Sequence, residues 1–554
     1  MDALNGNKKY YFTIASFMFV FGASAAEIHV NAGVESEYIN QTIDDYTNNS
    51  QIDSDNLIFS PYLSAIYNAK RVNFNLRAEH NHVSRSLESN TVKNNYTNYS
   101  GRFGLNLIDN FLRVTGDANQ GYRGLAANSF IVDDFLLNAE NLAKTNSYRG
   151  AVELSLPAKT YFGIDSTLSY SNFTSDNQQG SDALAFDNER YLGRVNLFSG
   201  RDFRPFTMQI QGTSSVTKRS EREDFLSSNV DADFRAPLFT SDLMFTVVLN
   251  YENNEIENDF SEMSSLREFY SYGAGLTWQV SRNKLLQLTW NNSKKDARAG
   301  EDDETESFLG GRINWQFSPR TDLQAQFTKR FFGDAASVSF SHNTRHWRNN
   351  VSYSETVTTS SQLLQNDLTS FFACTNGSTS IADCELLDSL DPASLPPDAI
   401  FVPFVETNFE LSDSVIIRKN AQYTSAVQRR RTNISFSVAQ SIDEDIERSL
   451  ETTTDSIQLT SSIGFSPRTT MRATLRYADV NRVRADEDLN SRINEFSLNI
   501  ERRFSKSLFA SIGYNYLDRS GDAIGSIGGN FGGIDGPLTD NRITASIRYQ
   551  LSKR

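Results

Sequence analysis

Long hydrophobic runs are nearly absent from this sequence. Apolar residues supply 38% of its 554 positions, and the mean hydropathy is −0.46. Beyond the N-terminus no stretch approaches the roughly 20 apolar residues that a membrane-crossing helix needs, so a helical multi-span protein is excluded. Histidine is scarce, with five residues, His29, His80, His82, His342 and His346. No serine and carboxylate arrangement beside them suggests a hydrolytic triad. His80 and His82, on one strand face, form an i, i+2 pair that a metal would accept, and a rim or lumen position without chemistry is the plainer reading. Cysteine is reduced to Cys374 and Cys384, both in one polar stretch. In an oxidising compartment the pair favours a disulfide, whereas a metal site lacks a nearby His or third Cys. The Gly-rich run 525–533 has no Lys and no helix after it, so it does not cradle phosphate. These absences predict a non-enzymatic chain with no cofactor and no nucleic-acid partner.

Aromatic residues are plentiful, at 12% with Phe 39 and Tyr 22, which contradicts disorder. Low hydropathy with many aromatics is what alternation produces, because only every second residue of a barrel strand meets lipid. The N-terminus adds an address. Lys8 and Lys9 precede the apolar run Tyr10 to Gly22, and Ala23-Ser24-Ala25-Ala26 offers small residues for cleavage, so 1–26 reads as a cleaved signal peptide.

The period-2 pattern recurs along the whole chain. Leu309, Gly311, Ile313, Trp315 and Phe317 share one phase with Arg312, Asn314 and Gln316 on the other, and Ser318-Pro319-Arg320-Thr321 then turns the chain. The device repeats at Ser466-Pro467-Arg468-Thr469. Counting such segments predicts an all-β fold, a single large antiparallel transmembrane barrel of about 24 strands occupying 27–554. Connections alternate in length. Short links fall near 68–70, 108–110, 157–159, 281–284, 318–320, 466–468 and 505–506, and longer polar stretches at 39–56, 119–147, 252–267, 293–306, 358–414, 441–454 and 517–540. Bacterial barrels put short turns on the periplasmic side and long loops outside. The expected location is therefore a Gram-negative outer membrane, with no plug before the first strand, 28–38.

The last strand, Thr544 to Leu551, resembles the C-terminal signal read by the barrel-assembly machinery, with Tyr549 and Leu551 carrying the aromatic and apolar places; Ser552-Lys553-Arg554 trails it where the usual terminal aromatic is missing. Partners implied are this machinery, outer-membrane lipid and lipopolysaccharide.

If the apolar phase meets lipid, the other phase lines the lumen. Arginine dominates it. Arg312, Arg330, Arg348, Arg418, Arg472, Arg476 and Arg503 are lumen candidates, and Arg77, Arg102, Arg113, Arg149, Arg194, Arg235 and Arg548 share their phase. The inward acids on this reading are Glu79, Glu153, Asp165, Asp231, Asp233, Asp322, Glu495 and Glu501. Because the chain carries a formal net charge of −15, the surplus acid is assigned to loops, at Asp44-Asp45, Glu252 to Asp259, Glu301 to Glu304 and Asp443 to Asp445. A basic lumen concentrates anions; arginines paired with acids would instead brace the wall. A ring this wide needs narrowing, since 16 to 18 strands already leave a channel. Two segments are candidates, 358–414 with its cysteine pair, and Ser129 to Leu142 with a helical apolar stripe.

Two runs carry a family resemblance. Leu57-Ile58-Phe59-Ser60-Pro61-Tyr62-Leu63 follows the first strand, and Ser339-Phe340-Ser341-His342-Asn343-Thr344-Arg345-His346-Trp347, continuing through Val351 to Glu355, lies mid-chain. With the strand layout, they resemble the PEP-CTERM system-associated outer-membrane β-barrel family. The resemblance implies a part in exopolysaccharide export or assembly, with exopolysaccharide and its periplasmic export proteins as partners. The expected function is thus a channel for an anionic polymer. A general diffusion or nutrient porin and a structural or adhesive surface scaffold are the alternatives.

Overall fold

The computed structural model describes residues 27–553 apart from 47–48, 88–90, 110, 125–135, 137–141, 158–160, 177–185, 201–202, 204, 221, 240–241, 257–267, 282, 296–303, 360–371, 375–383, 387–399, 403–413, 447–449, 485–486 and 522–536. The signal-peptide reading of 1–26 lies outside these residues. Twenty-four strands form one antiparallel sheet in which each pairs with the next in the chain. The ring closes where the last strand, Leu538–Lys553, pairs with the first, Glu27–Asp45. Closure leaves no row of unpaired backbone donors and acceptors at an edge, the condition for a sheet to stand in lipid.

The outward phase fits a bilayer. Leu63, Leu76, Leu168, Leu276 and Leu288 are exposed in a band. Each Leu that passes from water into lipid contributes roughly 1.5–3 kcal/mol. Exposed aromatics bracket the band: Phe162, Trp278, Phe317, Trp347 and Phe465 stand beside the short turns, and Tyr148, Tyr170, Tyr251, Tyr272 and Trp290 further up. On the strand Phe269–Ser281 the girdle residues Tyr272 and Trp278 are six residues apart, about 20 Å along a strand. Two aromatic girdles around an apolar band are the mark of an outer-membrane barrel, and this chain is one.

Strands continue past the outer girdle, which corrects the long-loop boundaries read from sequence. The stretch 39–56 is mostly hairpin, with strands Glu27–Asp45 and Ser50–Asn68 fully paired across it. Above the lipid the outward side chains turn polar and pair across strands instead: Tyr38 Oη donates to Asp55 at 2.6 Å, and Thr42 Oγ1 to Asp53 at 2.8 Å. Polarity there reports water, not the end of the sheet. His80 and His82 occupy the same outer face, hydrogen-bonded to Thr97 and Asn95. They stand outside the lumen, on the wall above the lipid.

The ring is not evenly round. Gly273 and Gly275 point inward on the strand Phe269–Ser281, opposite Asn291 and Thr289 of the next strand, Lys284–Lys295. A Cβ at Gly275 would sit 2.6 Å from Thr289 Cα. A Cβ at Gly310, on the strand Glu304–Ser318, would overlap the Asn291 side chain and stand 2.9 Å from Thr289 Oγ1. Glycine on both flanks lets the sheet fold sharply around Lys284–Lys295. The inner faces beyond the fold then meet, and a narrow polar cavity lies between them, lined by Asp231, Asp233, Asn250, Gln287, Thr289 and Arg312. Here the wall itself supplies narrowing, and the two loop segments offered for it by the sequence lie mostly outside the described residues.

Candidate transport lumen

Inward arginines acquire acid partners through this geometry. Arg312 Nη1 lies 3.4 Å from Asp233 on the strand Phe225–Pro237, and the same carboxylate takes Arg235 at 2.7 Å. Three strands separate Arg312 from Asp233 in the ring, so only the fold brings them together. Arg418 lies 3.6 Å from Asp443, both largely buried, and Arg476 lies 3.9 Å from Glu495. Arg348 and Arg472 face inward, and each has an interaction partner. Arg503 is at the periplasmic rim, where Nη2 donates to the Pro467 carbonyl at 3.2 Å. Further pairs join Arg77 to Glu79, Arg102 to Asp117 and Arg548 to Glu501.

Glu252 and Asp443 correct the view that the surplus acid lies in loops. Both sit on strands and point inward, as ion-pair partners of Arg330 and Arg418. Sequence reading stopped those strands too early and so lost their phase. It also missed Arg190, which shares the inward phase of Arg194 four positions later on the strand Phe186–Ser199. That spacing was the available signal.

Arg330 occupies the thinnest part of the wall. The strand Thr321–Arg330 and its partner Gly333–Asn343 form a short hairpin, closed through Phe331, Phe332 and Gly333 at φ +120°. Only six residue pairs, Val338 with Tyr353 to Asn343 with Arg348, join this hairpin to the strand Trp347–Thr359, against 19 between the first two strands. Above Tyr353 that neighbour has lost its ladder on this side. Arg330 Nη1 donates to the Glu355 carbonyl there at 2.9 Å, while Nε donates to Glu252 at 2.9 Å and the guanidinium lies 4.9 Å from the centre of the Phe332 ring. One side chain thus ties three strands across a gap in the ladder. The mid-chain resemblance run, Ser339 to Trp347, forms the base of this seam and its periplasmic turn.

An apolar cluster covers the seam on the extracellular side. Inward-facing Phe225, Ile256 and Phe269 are buried with Phe331, Val415 and Ile417. Seven strands lie between Phe225–Pro237 and Val415–Arg429 in the ring, about 38 Å at ordinary strand spacing, yet their ends share a core. This part of the ring is therefore a lobe closed on itself at its outer mouth. A second cluster, Ile39, Val83, Tyr96 and Leu142, receives Leu136, whose carbonyl takes a hydrogen bond from Arg85 Nη1 at 3.0 Å. Within Ser129 to Leu142, Leu136 is thus packed against inward-facing residues, and most of that segment lies outside the described residues.

Most of the 358–414 loop likewise lies outside them. Its described backbone includes a small three-stranded sheet, Phe372–Cys374, Cys384–Leu386 and Ile400–Val402, in which Cys374 stands directly opposite Cys384. Directly opposed residues have Cα atoms about 4.5–5.5 Å apart, within disulfide range. Maleimide labelling of the unfolded, non-reduced chain is expected to modify neither thiol, and both after reduction. Labelling of both before reduction would count against the bridge.

In its periplasmic half the inner wall of the first nine strands is open by contrast. Side chains of Arg102, Arg113 and Glu153 are 45%, 47% and 42% exposed, whereas those of Glu252 and Asp233 in the closed lobe are 4% and 9% exposed. Tyr549 and Leu551 of the last strand face outward and are exposed.

No protein-family model matches the chain, and no curated protein matches it. Among solved structures it is similar to the siderophore receptor PirA from Acinetobacter baumannii, at 9% identity and a TM-score of 0.41, covering 96% of this chain and 81% of that one. It is also similar to the FrpB iron transporter from Neisseria meningitidis, at 11% identity and 0.37, covering 94% and 81%. The copper transporter OprC matches at 11% identity and 0.36, covering 94% and 83%.

Proposed function

We propose that this barrel is a gated outer-membrane conduit for an anionic polymer and takes part in exopolysaccharide export or assembly. The supporting observation is the division of the ring. One lobe is sealed by Arg-acid pairs and an apolar cover, and the opposite wall presents exposed arginines to an open lumen. A channel wall with low-dielectric surroundings and fixed positive charge concentrates anions. The likeness of Leu57 to Leu63 and Ser339 to Glu355 to an exopolysaccharide-associated family supplies the polymer class.

Deletion of the gene is expected to abolish or sharply reduce secreted acidic polysaccharide, measured as uronic acid in the culture medium, and the wild-type gene to restore it. Unchanged secretion overturns this reading. A nutrient porin predicts instead a solute-uptake defect with secretion intact, and the same strains measure both.

A further inference from the structure

Most inward arginines have an acidic or carbonyl partner, but three on the wall of the first nine strands have none among the described residues. Arg149 lies on the strand Leu142–Leu156, and Arg190 and Arg194 on Phe186–Ser199. Between these strands runs Phe162–Ser175, and the register puts Arg149, Ser171 and Arg190 in one row across all three. Ser171 is short, so no bulky side chain of the intervening strand stands in the row between the two arginines, whose Cα atoms stand two strand spacings apart, about 10 Å. Each arginine side chain reaches more than half that distance. Arg194 follows four positions after Arg190 on the same face.

Among the described residues, the carboxylates in the neighbourhood are engaged elsewhere. Asp117, directly opposite Arg149, accepts from Arg102 Nε at 2.9 Å. Glu153 lies 3.9 Å from Arg113, and Asp165 accepts from Ser155 at 2.6 Å. Asp187 and Glu189 belong to the outward phase, where Asn172, Tyr170 and Tyr191 hold them. The residues that face Arg190 and Arg194 across the strands are hydroxyls, Ser171 and Thr217 opposite Arg190 and Thr213 and Thr167 opposite Arg194. Arg190 Nε is buried with no hydrogen-bond partner. Three like charges held together cost stability unless an anion joins them, and guanidinium groups match the planar or tetrahedral oxygens of carboxylate and phosphate.

We propose that Arg149, Arg190 and Arg194 form an anion-binding site on the lumen wall, taking the phosphate or carboxylate groups of a solute in the channel. It deepens the conduit reading by naming where the charge of the passing solute is held, and binding in vitro can succeed or fail independently of secretion.

The test is calorimetric titration of the full-length, detergent-folded barrel with inorganic phosphate and, separately, with a galacturonate oligomer, at low and raised salt. The site predicts saturable binding of at least one probe, weakened by salt, and at least tenfold weaker in R149Q/R190Q/R194Q. R77Q, at an arginine already paired with Glu79, should bind as wild type. The triple variant should keep its heat-modifiable gel mobility and should unfold at no lower temperature, because like charges have been removed; R190Q alone serves as the second variant. Phosphate binding without oligomer binding supports the site and counts against the polymer. No binding of either probe to the wild-type barrel, or equal binding by the triple variant, overturns the proposal, as does a triple variant that loses binding only by failing to fold while R190Q folds and binds normally.

Discussion

Arg330→Ala is expected to raise single-channel conductance in planar bilayers several-fold over the wild-type barrel. The wall at the seam is joined to its neighbour by six residue pairs, and above them the Arg330 side chain stands in for the missing ladder by donating to the Glu355 carbonyl. Its removal also strands Glu252, whose side chain is only 4% exposed. Breaking one partner of a buried pair typically costs about 3–5 kcal/mol. Water entry is the relaxation available to an unpaired buried carboxylate, and it draws apart the strands that now face each other across the lobe. Phe331 and the residues packed on it lose their anchor in the same event. A double-mutant cycle with Glu252→Gln should give a coupling on the order of 1–3 kcal/mol. Conductance identical to wild type, together with coupling below about 0.5 kcal/mol, would show that Arg330 does not hold the seam.

Gly275→Ala is expected to prevent the barrel from reaching its heat-modifiable folded form, or to destabilise it beyond the roughly 1–3 kcal/mol of ordinary overpacking. The added Cβ meets backbone, with Thr289 Cα at 2.6 Å and the Leu288 carbonyl carbon at 2.8 Å. A side chain can rotate away from such a contact, and a paired strand cannot without giving up its ladder. The comparison is Gly150→Ala, where a Cβ meets nothing within 4 Å and the change should stay within about 0.5 kcal/mol. Urea titration of both variants in detergent, read by gel mobility, measures the difference. Equal midpoints would mean that the sharp fold around Lys284–Lys295 is not needed.

Local chemistry explains why so much of the barrel was legible. Lipid on one side and water on the other force a period of two, so Leu309, Phe317 and Arg312 declared their faces in the sequence. The Ser-Pro-Arg-Thr turns declared the periplasmic edge in the same way. Where both faces meet water the period fades, and strand ends such as Asp45 and Asp443 look like loop in the sequence although their backbones are paired. Pairing along the ladder needs no amphipathic pattern. The proline of the early resemblance run shows the limit from the other direction. A proline lacks the N–H that a ladder uses, yet Pro61 sits inside Ser50–Asn68 and pairs in register with Val34. Only the ladder to Val72–Leu87 is interrupted, between Phe59 and Tyr62, on the side where a donor is missing.

The sequence by itself determined that the chain is a single antiparallel barrel of about 24 strands, which way the residues point where one face meets lipid, and that arginine lines the interior. These are consequences of each residue's own solvent. The tertiary structure alone decided which arginines are neutralised. Asp233 meets Arg312, and Glu252 meets Arg330, only because Gly273, Gly275 and Gly310 allow the sheet to fold back on itself, and sequence separation carries no trace of that approach. It also decided which arginines stay together without an acid. Arg149 and Arg190 are 41 positions apart in sequence and share one row because Ser171 registers with both. Strand phase is a local property, whereas charge pairing depends on the curvature of the closed ring.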